Sequence, residues 1–189
     1  MSRLVLQMQY SLDGFVCGPN GEVEWAFPGI DADCTDWIVT KISDAGAHLM
    51  GSVTYGDMAA HWPSSTEPYA EPMNRIPKIV FSRSLRKANW DPARIISGDL
   101  AKEIVKLKQE SGKDLVAHGG ARFARSLAGT GLIDEYRLVV HPVVLGSGLR
   151  IFPEGGAPVR VKLVDATTFK TGTIAKTFEA NAAQKEEPS

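Results

Sequence analysis

Cysteine is nearly missing from this 189-residue chain, which holds only Cys17 and Cys34. Two thiols are too few for a disulfide framework, and neither stands in a Cys-x-x-Cys or other metal-ligand spacing. Pairing of Cys17 with Cys34 stays open at this point. Reduced thiols are the expectation, and with them a cytoplasmic setting. An excess of charge of one sign is also lacking, since 21 Lys and Arg face 22 Asp and Glu, for a formal net charge of −1. That balance gives no global basic field for nucleic acid or for an anionic membrane, so neither is an expected partner. Long apolar runs are absent too. The first ten residues carry a short apolar stretch broken by Gln7 and Gln9, unlike a signal-peptide core or a span of roughly 20 apolar residues. The chain contains neither a Walker sequence nor a GxGxxG, and no internal repeat. Its four histidines, His48, His61, His118 and His141, are too scattered for a metal set. A structural role is expected for each, and no metal.

What is present is the composition of an ordinary globular protein, 43% hydrophobic and 23% charged. The length fits one domain, placed at residues 1–180, with a polar tail at 181–189 expected to be disordered. Apolar runs and alternations predict strands at residues 4–10, 47–51, 77–82, 95–96 and 114–118, and a longer one at 133–144. Pro142 marks that last strand as an edge or a bulge. A hairpin at 159–169 and 173–180 closes the chain, turning at Lys170-Thr171-Gly172. Helical spacing predicts helices at 31–45, 53–61, 100–109 and 121–128, with Asp31 or Asp33 as the first N-cap. Residues 64–77, rich in proline, read as a surface loop. Strand–helix alternation followed by strands implies an α/β fold: a single mixed, mostly parallel sheet flanked by helices, with a C-terminal antiparallel hairpin. Ligands of such sheets gather at the carboxyl ends of the strands.

Three junctions place glycine or a small hydroxyl residue where a strand hands over to a helix: Gly51-Ser52-Val53-Thr54, Ser82-Arg83-Ser84 and Gly119-Gly120-Ala121-Arg122. A helix start offers free N–H groups and partial positive charge, and glycine lets a phosphate approach the backbone. Arg83 and Arg122 add forked donors suited to phosphate oxygens. Taken singly, a Gly-Gly at a strand end is as well explained by a tight turn.

The order of these segments resembles dihydrofolate-reductase-like proteins. It begins with the first strand and Ser11-Leu12-Asp13-Gly14, and continues with Leu49-Met50-Gly51-Ser52-Val53-Thr54-Tyr55, Val80-Phe81-Ser82-Arg83-Ser84 and Gly119-Gly120-Ala121-Arg122-Phe123. The similarity is closest to the reductase domain of the bifunctional riboflavin-biosynthesis deaminase–reductase and its stand-alone relatives. Asp134-Glu135-Tyr136 and Pro142-Val143-Val144-Leu145-Gly146-Ser147-Gly148 extend it over residues 3–179. The resemblance implies NADPH bound across the sheet. Gly51, Ser52 and Thr54 would stand near the adenosine-side phosphates, and Ser82 and Arg83 at the 2′-phosphate. Gly119, Gly120, Ala121 and Arg122 would cradle the pyrophosphate, with Asp13 and Gly14 by the nicotinamide ribose. Where that family often carries Arg or Lys after the first glycine, this chain has Ser52, one cation fewer.

Hydride chemistry rests on the cofactor and asks the protein for little beyond a proton source. The resemblance points to an acidic residue on the first helix, with Asp36 and Asp33 the nearest candidates; a cap or a solvated helix face explains either as well. Asp13 has two readings that can both hold, a turn stabilised through its own backbone and a contact to substrate or ribose. Trp25, Phe27 and Trp62 are candidate walls for a planar substrate, or core residues. The family's dimerisation through C-terminal strands implies a homodimer, with Leu138-Val139-Val140 and Val143-Val144-Leu145 as candidate interface runs or core. The expected function is an NADPH-dependent reductase of a small pteridine-like or ribosylaminopyrimidine-like substrate. A non-catalytic NADP(H)-binding or regulatory protein on the same fold is the alternative, and a plain scaffold for protein contacts is a third reading.

Overall fold

The computed structural model describes residues 1–110, 112–152 and 159–180. The expected tail at 181–189 lies outside the described residues. Eight strands form one sheet in the order β4-β3-β2-β5-β1-β6-β8-β7. They are β1 (Leu4–Ser11), β2 (Ala47–Gly51), β3 (Lys78–Phe81), β4 (Ala93–Ile96), β5 (Leu115–Ala117), β6 (Glu135–His141), β7 (Val161–Thr168) and β8 (Ile174–Ala180). β1 to β6 run parallel, while β8 lies antiparallel between β6 and β7. The helices are α1 (Ala32–Ser43), α2 (Ser52–His61), α3 (Ala70–Arg75), α4 (Leu100–Glu110) and α5 (Ala121–Ala128), with short 3-10 turns at Glu24–Gly29 and Trp62–Ser64.

Alternation in the strands sends side chains to two unlike layers. Leu4, Leu6 and Met8 of β1 join Leu49, Leu115, Ala117 and Leu138 against Ile104 and Leu107 of α4 and Ala124 and Leu127 of α5. Val5 joins Met50, Val80, Val116 and Val139 against Cys34, Ile38 and Ile42 of α1, Tyr55 of α2 and Met73 of α3. Polar side chains are buried on this second face as well: Gln7 follows Val5 by two residues, and His48 precedes Met50 by two. α1 starts where its N-cap Asp31 accepts a hydrogen bond from the Cys34 N–H at 2.8 Å. Both cysteines are buried and free.

Three expectations are corrected. The loop read at 64–77 carries α3, whose Ala70, Pro72 and Met73 are buried; a proline in a first helical turn sacrifices no intrahelical hydrogen bond. The strand with Pro142 is neither an edge nor bulged, and its register along β1 and β8 is unbroken. β6 lies between β1 and β8 and stops at His141, one residue before the proline. Of the two readings given for Leu138 and Val139, core is the one the sheet takes; Val144 of the second candidate run is exposed, as are Val161, Leu163 and Val164 of β7. Ser82-Arg83-Ser84 opens no helix, because the chain passes from β3 to β4 without one.

Candidate functional site

All parallel strands end on one edge of the sheet, and there two helices start without a side-chain cap. Gly51 is the N-cap of α2 and Gly120 that of α5, each with extended ψ and neither bonded by a side chain. The first-turn N–H groups of both helices are thus left for another partner, with the positive ends of two dipoles beside them. The strand order β2-β5 sets these starts next to each other. A β-carbon on Gly120 would lie 2.8 Å from Thr54 Oγ1 of α2, and one on Gly51 would lie 3.3 Å from the Phe123 β-carbon of α5. Gly119 has φ +93°, a backbone that L side chains rarely adopt, and a β-carbon there would meet Met8 Sδ at 3.1 Å. Phe123 stacks on Phe81 with ring centroids 5.3 Å apart, which brings the end of β3 to the same place. Ser82 Oγ holds the turn that follows, accepting from the N–H groups of Ser84 at 3.3 Å and Leu85 at 3.0 Å. Arg83 and Arg122 are exposed, and neither has an acidic partner among the described residues. Gly51, Ser52, Thr54, Gly119, Gly120, Ala121 and Arg122 thereby form one continuous rim, with Ser82 and Arg83 at its β3 end.

Asp13 is held tightly. Its carboxylate accepts from the Ser11 hydroxyl at 2.7 Å, the Leu145 N–H at 3.1 Å and the Gly146 N–H at 2.7 Å. Desolvation pulls its pKa up, but the hydrogen bonds from Ser11, Gly146, Leu145 and its own N–H outweigh that and leave it at about 2. The carboxylate is therefore ionised near neutrality and ties the turn after β1 to the loop after β6. Gly14 beside it has φ +90°, with Arg150 Nη1 only 2.8 Å from where a β-carbon would stand. Arg150 also covers the Phe15 ring at 4.3 Å. It shares a hollow with Phe15, Arg125, Gly148 and Phe152 at this edge. A second hollow, lined by Gly46, Pro77, Lys78 and Pro92, lies at the opposite, amino-terminal edge of the strands, away from the glycine rim.

The other expected residues are less gathered. Asp36 is exposed on α1, and its carboxylate has no hydrogen bond among the described residues. Phe27 is also exposed. Trp25 donates its indole N–H to the Glu22 carbonyl at 3.0 Å and meets the His141 ring edge-on at 5.6 Å. Trp62 packs on the α1-side core between His61 and Tyr69, with a buried indole nitrogen that has no partner among the described residues. No ring contact joins it to Trp25 or Phe27 among the described residues.

Two of the histidines expected to be structural meet in a polar set on the α1–α3 face of the sheet, a contact that their sequence positions do not show. His48 on β2 sits with Nε2 3.2 Å from the Pro72 carbonyl and Nδ1 2.8 Å from His118 Nε2. Burial pushes His48 down to about 4, against weaker opposition from the Pro72 bond. Burial first, then His48 and Arg137, hold His118 well below the usual histidine range. Next to His118 in the sheet is Gln7, since the β1–β5 register pairs Leu6 with Ala117 and both residues follow directly. The Gln7 Oε1 atom is buried without a partner, a state that costs about 1–3 kcal/mol when nothing satisfies it. Two histidines 70 positions apart give no spacing signal. Only the pairing of β2 with β5 brings them together.

An eight-stranded mixed sheet, with two glycine-capped helix starts at the carboxyl ends of its central strands, defines a dihydrofolate-reductase-like protein. The family model of the RibD C-terminal domain matches residues 2–175, and the chain belongs to that family. The uncharacterized protein YyaP of Bacillus subtilis (strain 168) is 31% identical over 184 residues, 95% of each chain. A crystal structure from Shewanella sp. PV-4, of a protein named for riboflavin biosynthesis, superposes with a TM-score of 0.77 at 18% identity, covering 95% of this chain and 99% of that one. Dihydrofolate reductase from Enterococcus faecalis, in complex with NADP(H) and an inhibitor named RAB-propyl, superposes with a TM-score of 0.62 at 16% identity, covering 95% and 96%. Among the described residues no helix is long and apolar enough to cross a membrane.

Proposed function

We propose that the chain is an NADPH-dependent reductase that delivers hydride to a small pteridine-like or ribosylaminopyrimidine-like substrate. The observation that carries this reading is the contact between the two uncapped helix starts, Gly51–Thr54 and Gly119–Arg122, with exposed cationic Arg83 and Arg122 on the same rim. Glycine at Gly119 and Gly120 leaves backbone open for close approach, which suits a pyrophosphate better than a side chain would. Gly51, Ser52, Thr54, Gly119, Gly120, Ala121 and Arg122 would hold the phosphates, and Ser82 and Arg83 the 2′-phosphate that separates NADPH from NADH. When bound, the cofactor supplies the hydride. Asp13, ionised at neutral pH, orients the turn carrying Gly14 and is no proton reservoir; a proton for the acceptor would come from water, with Asp36 on α1 the candidate carboxyl beside it. The family membership and the NADP(H) complex of the Enterococcus reductase support the same reading. Buried unpaired thiols suit a cytoplasmic setting, and the exposed apolar β7 suits a second copy of the chain docking along it.

The test is Arg83→Ala, followed by titration with NADPH and NADH. Loss of a charged hydrogen bond should weaken NADPH by about 1–3 kcal/mol and leave NADH nearly unchanged. Equal weakening of both removes Arg83 from the 2′-phosphate. Turnover of NADPH with a pterin or aminopyrimidine acceptor separates a reductase from a protein that only binds the cofactor.

A further inference from the structure

The buried histidine pair under α1 has an internal logic that fixes where its protons sit. A carbonyl oxygen can only accept, so the contact between His48 Nε2 and the Pro72 carbonyl requires hydrogen on Nε2. His48 is held neutral by burial, and its Nδ1 is then a bare lone pair. The 2.8 Å contact to His118 Nε2 makes His118 the donor. His118 is neutral for the same reason, and its own Nδ1 is left bare, with no partner among the described residues. His118 is half-buried at the carboxyl end of β5, directly before the Gly119–Gly120 start of α5. One strand over, Gln7 places a second acceptor, Oε1, without a donor. By strand register the two residues are neighbours on the α1 side of the sheet, and neither acceptor has a hydrogen-bond donor among the described residues.

We propose that His118 and Gln7 form an acceptor pair that reads a neutral heterocycle presenting two adjacent N–H donors, with His48 as the positioning residue that locks the His118 tautomer. The inference rests on the reductase reading above and names the recognising edge of its substrate. A site so built rejects ligands whose adjacent ring nitrogens are alkylated, because an unmet acceptor would remain buried against them.

The experiment uses the full chain with 15N-labelled histidine, saturated with NADP+, and long-range proton–nitrogen NMR, with peaks assigned through His118→Gln and His48→Gln. Both rings should appear as neutral Nε2–H tautomers. Addition of 5,6-diaminouracil, which has N–H donors at ring and amine, should shift His118 Nδ1, whereas 5,6-diamino-1,3-dimethyluracil should bind at least tenfold more weakly and leave it in place. His48→Leu should lower diaminouracil affinity about tenfold with NADPH affinity unchanged. His48→Gln should restore it, since one amide both donates to Pro72 and accepts from His118. A hydrogen on His118 Nδ1 in the protein without diaminouracil, equal binding of the two uracils, or no response of Nδ1 overturns the proposal. The tautomer measurement on the unmodified chain decides the matter should His48→Leu fail to fold. Absence of NADPH binding would sink the reductase reading, while NADPH binding with an unmoved Nδ1 sinks only this inference.

Discussion

The two faces of one sheet are built by opposite rules. Against α4 and α5 the layer is aliphatic, with Leu4, Leu6, Leu49, Leu115 and Leu127 at most 1% exposed and packed on one another. Against α1 to α3 the same strands turn in Gln7, His48, Lys78, Arg137 and His141, each at most 7% exposed. Apolar packing needs shape alone, whereas each buried polar group needs a named partner. Lys78 finds three carbonyls, those of Met73, Asn74 and Asp91, and lies over the Trp90 ring at 4.4 Å. Burial nonetheless lowers it to about 8. Arg137 finds Glu135 at 2.6 Å and the Lys41 carbonyl at 2.8 Å. The aliphatic face needs only shape to hold together; the polar face depends on named partners, and Gln7 Oε1 is left without one among the described residues.

The largest expected break is on the polar side. Glu135→Ala strands Arg137, and also removes the 2.7 Å contact to Arg3. It should cost about 3–5 kcal/mol, read from urea unfolding; a cost below about 1 kcal/mol would mean the buried pair is solvated after all. Leu49→Ala on the other face should cost about 2–5 kcal/mol through the cavity it leaves, and by the same amount at every pH. The polar face, in contrast, should weaken with acid. His48 titrates near 6.5 unfolded and at about 4 folded, so the unfolded chain binds more protons between those values. The stability it contributes is whole above about pH 6.5 and is lost as pH falls toward 4, on the order of 2–3 kcal/mol. Urea midpoints at pH 7 and 4.5 should therefore lie further apart in the native chain than in His48→Gln, where the buried His118 still weakens with acid. Parallel slopes in the two proteins would remove His48 from the account. The smallest effect is Asp36→Asn, which changes an exposed group on α1 and should move stability by less than about 0.5 kcal/mol; its NADPH turnover is then a clean measure of any role in proton supply.

The same contrast explains what could be read in advance. Strand edges and helix spans were legible wherever a glycine followed an apolar run, so β2 ends at Gly51 and α5 occupies Ala121–Ala128 as the spacing indicates. α3 was not, because Pro72 within it looks like a breaker unless its place in the first turn is known. The glycine rim was legible as three separate segments. That two of them touch follows from β5 inserting between β1 and β2, a non-sequential neighbour relation. Asp13 and Gly14 were legible as a turn, but its clasp on Leu145 and Gly146 joins positions more than 130 residues apart. The His48–His118 contact was hidden for the same reason.

β1 lies centrally between β5 and β6, and its odd and even positions belong to different worlds. Sliding it by one residue would drive Gln7 into the aliphatic layer and push Leu6 and Met8 among histidines and arginine. Each layer would reject the error on its own grounds, one by an unsolvated amide, the other by lost hydrogen-bond partners. The strand thus proofreads its own alignment as the sheet assembles, and the polar residues on one of its faces make it hard to misthread.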